Sequence, residues 1–491
     1  MKKDSSLKKK TIAGLLWSLG DMMGNQGVQF IIQIILARLL LPEHFGLIGM
    51  IMVFIAISNS LINSGFTQAL IREQNSTQTD YSTVFYFNMA VSLLIYMGLY
   101  FSAPMISNFY GEPELVQILR ILSLGIILNA LAIIPRAIFA KEVNFKVVAK
   151  VNMIASSASG VFAVAAALAG FGVWSLIIRT LAMSFIQSFL LLIEKRWIPS
   201  VTFSMVSFKR LFGFGWKILA SGMINTVYKN IFFLIIGKQH SATQLGYYTN
   251  AFKLSDLTTY TLTSTIERVS YPVLSSIQNE QERLKQAFRK LVKLSAFLIF
   301  PIMIGLAAIA DPLVLLLFGE KWMPMVIYFQ LLCLAGMLFP IQEINLSVLQ
   351  VKGRSDMLLY LEITKIILSL VLIFTVIWMD LGIVFLVSVV VVDAYIALFL
   401  DTYFTGKQVS YPAREQLKDL APIYFVSMAM GFVVLNVGGL FEGHVLLQML
   451  LQISTGIIFY ILFSLLLKIE ELKTIYNLIV PVIRKRLFKE S

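Results

Sequence analysis

Four basic residues lie within apolar segments of the sequence or at the end of one: Arg38, Arg179, Lys229 and Lys253. Insertion scales put the cost of a basic residue at the membrane centre at roughly 2.5 to 3.5 kcal/mol, so each is a candidate functional residue. All four are predicted in the outer half of the membrane, where their charges would draw an anionic headgroup into a cavity. Lys229 is the strongest candidate, because no acidic residue lies within one helical turn of it.

Structural roles for the other cations stay open. Lys253 precedes Asp256 by three residues, so the two side chains are also placed to neutralise each other. Glu362 and Lys365 have the same spacing, which favours a structural ion pair. Arg38 and Arg179 are near enough to the outer interface for their long side chains to reach the headgroups.

Polar side chains recur every fourth residue in several apolar segments, and residues four apart share one helix face. Such a stripe persists in lipid only where that face meets protein or water. The longest stripe comprises Asp21, Asn25, Gln29 and Gln33, and two shorter ones comprise Asn59, Asn63 and Thr67, and Ser221, Asn225 and Lys229. We therefore predict a cavity lined by the amides of Asn25, Gln29, Asn63 and Asn225.

Three acidic residues lie well inside predicted helices: Asp21, Glu343 and Asp393. They are candidates for carrying protons or binding sodium, which would couple transport to an ion gradient. The alternatives are protonated, hydrogen-bonded carboxyl groups, or ion pairs with Lys229 or Lys365. The sequence does not choose between these interpretations.

The sequence lacks the signatures of enzymes and metal sites. Cys333 is the only cysteine, which excludes an intramolecular disulfide and a thiolate metal site, and the three histidines fall in predicted external loops. There is neither a Walker A loop nor a glycine-rich dinucleotide turn. No loop has room for a catalytic domain, so we predict a protein that is not an enzyme and has no metal or organic cofactor.

Composition determines the fold class. The 491 residues are 58% hydrophobic and 14% charged, with a mean hydropathy of +0.81, whereas soluble domains are nearer 45 to 50% apolar. The chain is predicted to be an all-α polytopic membrane protein. Apolar runs of about 20 residues indicate about fourteen transmembrane helices, at 12–38, 46–70, 82–104, 116–140, 147–170, 173–193, 213–236, 247–271, 291–317, 326–350, 357–379, 381–404, 420–440 and 445–467.

The net charge is +13, but the basic residues are distributed as a membrane topology requires and do not indicate nucleic acid binding. With the N-terminus in the cytoplasm, most Lys and Arg residues fall in alternate loops, including 136–150, 195–217, 268–293 and 407–418. This asymmetry follows the positive-inside rule and predicts that both termini are cytoplasmic. The first apolar segment is too long and too polar for a cleaved signal peptide.

Within the loop 268–293, the stretch from Asn279 onward is amphipathic. Leu284, Phe288 and Leu291 share one face, and five basic residues lie elsewhere. Two interpretations stay open: a helix at the cytoplasmic interface attracted to anionic lipids, or a basic flank that only sets topology.

The sequence from Trp17 to Gln68 has a second copy that starts at Trp216, and Gly246 lies 200 residues after Gly46. Further matches in the same order, such as FYGE ending at Glu112 and LFGE ending at Glu320, indicate a duplication. Six helices per repeat return each half to the same side, so the halves are predicted to share orientation about a pseudo-two-fold axis along the membrane normal. The predicted parts are two six-helix bundles, 1–200 and 201–405, and a C-terminal helix pair with a basic tail, 406–491.

At ILARLLLPEHFGLIGM (35–50), YPVLSS (271–276) and LFGEKW (317–322), the chain resembles the polysaccharide-transporter branch of the multidrug/oligosaccharidyl-lipid/polysaccharide (MOP) exporter superfamily. The most specific matches are Ala37, Arg38, Pro42, Phe45 and Gly46. This resemblance spans essentially the whole chain and implies the fold shared by multidrug exporters and lipid II flippases. It identifies the branch better than the substrate.

The resemblance implies a flippase of the bacterial cytoplasmic (inner) membrane that exports an undecaprenyl-diphosphate-linked oligosaccharide for surface polysaccharide or lipopolysaccharide biosynthesis by alternating access. The basic residues would bind the diphosphate, the amides the sugar hydroxyls, and membrane lipids and polysaccharide polymerases or glycosyltransferases would be its partners. In related lipid II flippases the last two helices carry a groove for the lipid tail. Two other functions stay open: a cation-coupled multidrug exporter of the same superfamily, and a non-transporting scaffold of a glycan-assembly complex.

Overall fold

The computed structural model describes residue 20 and residues 24–63, 65–73, 75–440 and 443–477, and Asp21 lies outside these ranges. Every regular element in them is helical. The first ten helices are α1 (24–39), α2 (Pro42–Asn63), α3 (Phe66–Arg72), α4 (Gln78–Tyr110), α5 (Leu115–Leu122), α6 (Leu124–Lys141), α7 (Phe145–Leu168), α8 (Trp174–Lys195), α9 (Met205–Gln239) and α10 (Ala242–Ser276). They are followed by α11 (Gln281–Ala308), α12 (Ala310–Leu317), a 3-10 helix (Glu320–Met325), α13 (Val326–Gly336), α14 (Phe339–Val351), α15 (Ser355–Trp378), α16 (Ile383–Val409), α17 (Ala413–Gly439), α18 (Val445–Leu466) and α19 (470–477).

Eleven helical stretches in the described residues are long and apolar enough to cross a membrane. The predicted all-α multi-pass fold is confirmed, whereas the predicted count of fourteen spans is not. The three predicted spans missing from the eleven correspond to α1, of which only 16 residues are described, and to α9 and α10. Both α9 and α10 have 35 residues, so the predicted limits 213–236 and 247–271 were too short.

Contacts divide the chain into two compact units, residues 1–249 and 250–491. In the first unit α9 packs along α2, α3 and α4, so this unit contains the first helix of the second sequence repeat. The predicted boundaries near 200 and 405 describe the repeat in the sequence and stay a prediction. A cluster of stacked phenylalanines joins α3 to α9, with Phe66 and Phe208 rings 5.9 Å apart.

The first turns of α2 and α10 meet in a reciprocal contact that mirrors the sequence repeat. A Cβ placed on Gly46 would lie 1.7 Å from the carbonyl oxygen of Ala242, and a Cβ on Gly246 would lie 1.9 Å from that of Pro42. Both pairs of equivalent positions are 200 residues apart: Ala242 corresponds to Pro42, and Gly246 corresponds to Gly46. The contact of Gly46 with Ala242 is therefore the same contact, with the repeats exchanged, as that of Gly246 with Pro42. Such an exchange of equivalent contacts is the property of a two-fold axis. The crossing therefore supports the predicted duplication at this point.

A second close approach of backbones interrupts the helix that begins at Pro42. Gly65, between α2 and α3, has a φ of 75°, a left-handed conformation that glycine adopts without strain. A Cβ at this position would lie 2.1 Å from the carbonyl oxygen of Gly215 in α9. Glycine is thus required here by both its conformation and the space available.

In the second unit, α17 and α18 pack on α11 and on each other. Arg289 of α11 donates two hydrogen bonds to Asp419 of α17, at 2.6 and 2.7 Å, and the Tyr411 hydroxyl donates another to the same carboxylate. Near the end of the chain, Tyr460 of α18 donates a hydrogen bond of 2.9 Å to the carbonyl of Phe297. The C-terminal helices α17 and α18 are therefore hydrogen-bonded to α11 at two separate positions along it.

The amphipathic stretch from Asn279 becomes the first turns of α11. Leu284 and Phe288 are fully buried against the same unit, and Lys293 forms an ion pair of 2.7 Å with Glu471. An independent helix lying on anionic lipid is the wrong interpretation of this stretch, because its apolar face packs inside the protein and several of its cations face carboxylates.

The connection between α4 and α5 contains Glu112, whose pKa is raised by burial and then by the charges of Glu43 and Glu114. The folded protein thus holds this proton more tightly than the unfolded chain. That contribution favours the folded state at low pH and is lost as pH rises above the ordinary value of 4.5.

We expect Glu112→Gln to raise stability at about pH 7 by less than about 1 kcal/mol and to leave it unchanged near pH 4. Thermal unfolding of the purified protein at both pH values checks this, with the exposed Glu282→Gln as a control that changes neither. An equal gain at both pH values would contradict the electrostatic explanation.

Candidate functional site

One group of predicted site residues comes together between α1 and α8. Arg179 of α8 donates one hydrogen bond of 3.0 Å to the Gln33 side-chain oxygen and another of 3.3 Å to the Gln29 carbonyl. The Gln29 amide in turn donates to Asn25 Oδ1 at 3.3 Å. These residues are called the Arg179 cluster below. The sequence predicted that Arg179, Asn25 and Gln29 belong to one site, and they lie in one hydrogen-bonded chain.

The position of α1 against its neighbour α7 follows from a glycine on each helix. Ile32 of α1 packs on Gly160, where an added Cβ would lie 2.1 Å from the isoleucine Cδ1. About two turns earlier on both helices, Met153 of α7 lies over Gly24 of α1, with its Cε 2.7 Å from the position of an added Cβ. Since α7 also packs along α8, these contacts hold the polar stripe of α1 against the face of α8 that carries Arg179.

The guanidinium of Arg179 retains both charge and donors for a ligand. Its acceptors within the described ranges are an amide side chain and a main-chain carbonyl, both neutral, and it forms no ion pair with a described carboxylate. A guanidinium carries five N–H donors, of which these contacts use two. The planar arrangement of the rest suits the paired oxygens of a phosphate. The Arg179 cluster therefore contains the charge and the hydrogen-bond donors that recognition of an anion requires.

A second half-buried arginine, Arg136, was not predicted as a site residue. Arg136 was counted with the cations of an inner loop, but it lies in α6, where it donates a hydrogen bond to the side chain of Gln187 in α8. Gln187 donates onward to Asn152 of α7. The position of Arg136 inside the predicted helix 116–140 was the signal that could have identified it. Three helices of the first unit thus share a second cation with neutral partners.

The other predicted cations lie elsewhere. Lys229 and Asn225 are exposed one turn apart on α9, and Lys229 makes no hydrogen bond or ion pair within the part of the chain that the structure describes. Arg38 is exposed near the end of α1, and Lys253 is exposed on α10. The hydrogen bonds of Arg179 within the described residues go to Gln29 and Gln33. The side chain of Asn63, like the whole of Asp21, lies outside the described residues.

Acidic residues are found in the second unit. Asp393 of α16 accepts a hydrogen bond from the Ser369 hydroxyl of α15, and Glu343 is half-buried on α14.

Lys365 lies 3.3 Å from Glu362, as the spacing predicted, but its shorter ion pair is with Asp401, at 2.8 Å. Asp401 was not identified from the sequence, because it lies 36 residues away on the following helix. Within the described residues, no group of three or more His, Cys, Asp or Glu side chains is arranged to hold a metal ion.

Residues 35–327, more than half of the chain, match the family described as "Polysaccharide biosynthesis protein". The chain belongs to this family. It is a member of the polysaccharide-transporter branch of the MOP exporter superfamily, which confirms the resemblance carried by its motifs.

Two curated relatives match large parts of this chain. ExoT of Rhizobium meliloti (strain 1021), named a succinoglycan biosynthesis transport protein, is 28% identical over 306 residues, which are 62% of this chain and 62% of ExoT. WzxC of Escherichia coli (strain K12), named a lipopolysaccharide biosynthesis protein, is 28% identical over 369 residues, which are 72% of each chain. The match thus spans somewhat less than two thirds of the length of ExoT and somewhat more than two thirds of the length of WzxC.

A solved structure shows the same fold. The lipid II flippase MurJ in an inward closed conformation matches with a TM-score of 0.74 at 15% identity, over 95% of this chain and 100% of that chain. With the eleven apolar helices, this likeness shows a multi-pass helical membrane protein with the architecture of that exporter superfamily.

Proposed function

We propose that the protein is a flippase that moves an undecaprenyl-diphosphate-linked oligosaccharide from the inner to the outer leaflet of the bacterial cytoplasmic membrane, for surface polysaccharide biosynthesis. The observation that carries this proposal is the Arg179 cluster, in which a guanidinium inside the membrane-spanning region keeps its charge and has neutral amide partners. The names of ExoT and WzxC, which belong to polysaccharide biosynthesis, support it.

The residue types fit such a substrate part by part. A diphosphate is recognised by arginine through paired hydrogen bonds and by lysine as a point charge, which are the roles of Arg179 and Lys229. Amide side chains such as Gln29 and Asn25 offer both donors and acceptors, which sugar hydroxyl groups require. Arg38 and Lys253, both exposed, add positive charge for the same ligand class. The long lipid tail stays in the membrane beside the protein.

The proposal includes the topology, the transport mechanism and the partners of the flippase. Both chain termini lie in the cytoplasm, where positively charged loops are retained. The flippase alternates access of its cationic cavity to the two sides, draws on a proton or sodium gradient, and is not an enzyme. Its partners are the lipid-linked oligosaccharide, membrane lipids, and the polymerase and glycosyltransferases that make and consume the repeat unit.

We expect deletion of the gene to remove surface polymer and to leave lipid-linked repeat units on the inner leaflet. Supplying the wild-type chain should restore the polymer, whereas Lys229→Ala at normal abundance should restore less than about a tenth, since a charge contact to phosphate contributes roughly 1.5 to 3 kcal/mol. The matched control is Lys209→Ala, an exposed lysine near the start of the same helix, which should restore it fully.

Two other results would replace the proposal. Unchanged polymer and intermediates together with increased sensitivity to cationic drugs would indicate a multidrug exporter. Loss of polymer on deletion, combined with full restoration by both Lys229→Ala and Arg179→Gln, would indicate a scaffold that carries no substrate.

A further inference from the structure

The connection between α8 and the first residues of α9 exposes five large apolar side chains within a short stretch. They are Ile198 (79% exposed), Val201 (95%), Phe203 (51%), Met205 (55%) and Val206 (78%). Residues 198–206 are called the apolar linker below. A contiguous apolar surface of this kind marks a place that another molecule covers. Within the described residues, the protein itself leaves these side chains uncovered.

Hydrogen bonds to the first turns of α4 fix the backbone of the apolar linker. The Ser200 amide donates a hydrogen bond of 3.0 Å to the Ser82 hydroxyl, and the Ser204 amide donates one of 3.1 Å to the Thr83 hydroxyl. Because the chain is tied to α4 at both serines, Val201 between them is held away from the protein surface.

Both ends of the apolar linker are attached to the same helix. On its N-terminal side, the Trp197 indole donates a hydrogen bond of 2.8 Å to the side chain of Gln78 in α4. On its C-terminal side, Arg210 of α9 forms an ion pair of 2.6 Å with Asp80 of α4, whose side chain is buried. The exposed apolar side chains are therefore displayed on a fixed support.

The apolar linker lies at the level where membrane-spanning helices end. It follows α8 and is bound to the first turns of α4, and both helices are long and apolar enough to cross a membrane. Exposed Phe185, Phe189 and Ile193 recur every fourth residue up to the end of α8, which is the pattern of a face that meets lipid. The indole of Trp197 is typical of the headgroup level. Lipid contact is thus expected to continue from α8 into the linker.

Basic residues beside the linker indicate which class of lipid covers it. Arg196 directly precedes it and is exposed, and Lys150 is exposed near the start of α7. The start of α7 lies beside the end of α8, because Glu142 and Lys195 form an ion pair there. Neither Arg196 nor Lys150 forms an ion pair with a carboxylate of the described ranges. Cations next to a membrane surface attract anionic headgroups.

We propose that the apolar linker is an anchor for a leaflet of anionic phospholipid. Its five apolar side chains insert below the headgroups, while Arg196 and Lys150 bind the phosphates. Because the linker is tied to α4 and continues into α9, the anchor sets the depth of the first turns of both helices. By the predicted topology this leaflet is the cytoplasmic one. Such anchoring is independent of the substrate that the protein moves.

Insertion is tested with a fluorescent probe on the purified full chain in nanodiscs. Val201→Cys is labelled with the polarity-sensitive dye NBD, while the native Cys333 is buried, so the wild-type chain should take up no label. We expect emission at shorter wavelength, and several-fold stronger quenching by phospholipids with brominated acyl chains, than from a probe at Glu282→Cys. Glu282 is an exposed residue in the first turn of α11. Equal emission and quenching of the two probes overturns the proposal.

The class of lipid is tested by comparing brominated phosphatidylglycerol with brominated phosphatidylcholine. The Val201→Cys probe should be half quenched at a roughly fivefold lower mole fraction of the anionic lipid, since each cation near the surface contributes a preference of that order. High salt should reduce this difference. The double variant Arg196→Gln/Lys150→Gln should abolish it, with the probe still quenched by both lipids. Equal quenching by the two lipids in the chain that retains both cations overturns the assignment to anionic phospholipid.

A protein partner is the competing occupant of the apolar linker. In that case the cysteine of Val201→Cys would react freely with a maleimide reagent in nanodiscs and would be protected only in native membranes. Those two results together overturn the proposal and assign the surface to a protein interface. Equal protection in nanodiscs and in native membranes supports the lipid anchor.

Discussion

Replacing Gly46 by alanine is expected to lower the amount of folded protein several-fold and to abolish most export. The added methyl carbon would lie 1.7 Å from the carbonyl oxygen of Ala242, a distance that only a shift of the whole helix crossing can relieve. Overpacking of this kind costs roughly 1 to 3 kcal/mol or more, and a loss of that size changes cellular abundance several-fold.

The reciprocal contact also predicts the effect of the equivalent substitution at Gly246. Gly246→Ala should be about as damaging as Gly46→Ala, because it meets the carbonyl of Pro42 at 1.9 Å. Gly98→Ala is the matched control: this glycine lies inside α4 with no atom within 4 Å of an added Cβ, and alanine favours a helix. Abundance in membranes and thermal unfolding in detergent measure all three. If Gly46→Ala behaves like Gly98→Ala, the two helix ends do not pack as described.

Arg179→Gln is expected to reduce export by roughly ten- to a hundredfold at normal abundance, which is the value of a charge-assisted hydrogen bond of about 1.5 to 3 kcal/mol. Glutamine keeps an amide donor for Gln33, so the contact between α1 and α8 is largely preserved and only the charge is removed. Arg179→Lys should recover little of the loss, since one ammonium cannot serve Gln33, the Gln29 carbonyl and a phosphate at once.

The control for this prediction is Arg120→Gln. Arg120 belongs to the same unit but binds the Tyr100 carbonyl and ring on α4, outside the Arg179 cluster. We expect full export from this variant, measured as surface polymer per cell. Equal export from Arg179→Gln and Arg120→Gln would remove Arg179 from the substrate path.

Much of this organisation could be predicted from the order of residue types. The polar stripe of Asn25, Gln29 and Gln33 has the helical period, and its face does meet a neighbouring helix, because unsatisfied amides are costly in lipid. The glycines Gly46 and Gly246 could be recognised as equivalent from the repeat, although their contact with each other could not.

The remainder depends on tertiary structure. Lys365 was predicted to pair with Glu362 three residues away, and the buried partner Asp401 comes from the next helix, which no local period indicates. Arg136 was read as an inner-loop cation because charge counting does not reveal that Gln187 of α8 lies beside it. For the same reason the sequence left open whether the cations at the start of α11 meet lipid, whereas carboxylates of α17 and α19 face them.

The most direct measurement is translocation by the purified chain in proteoliposomes, with lipid-linked repeat units extracted from polymerase-deficient cells as the probe. Membrane-impermeant periodate oxidises only the glycans that face outward. The account predicts that vesicles with the wild-type chain expose their internal glycans over time, while vesicles with Arg179→Gln and vesicles without protein keep them protected. Equal protection in wild-type and protein-free vesicles, or equal exposure by wild-type and Arg179→Gln protein, would contradict it.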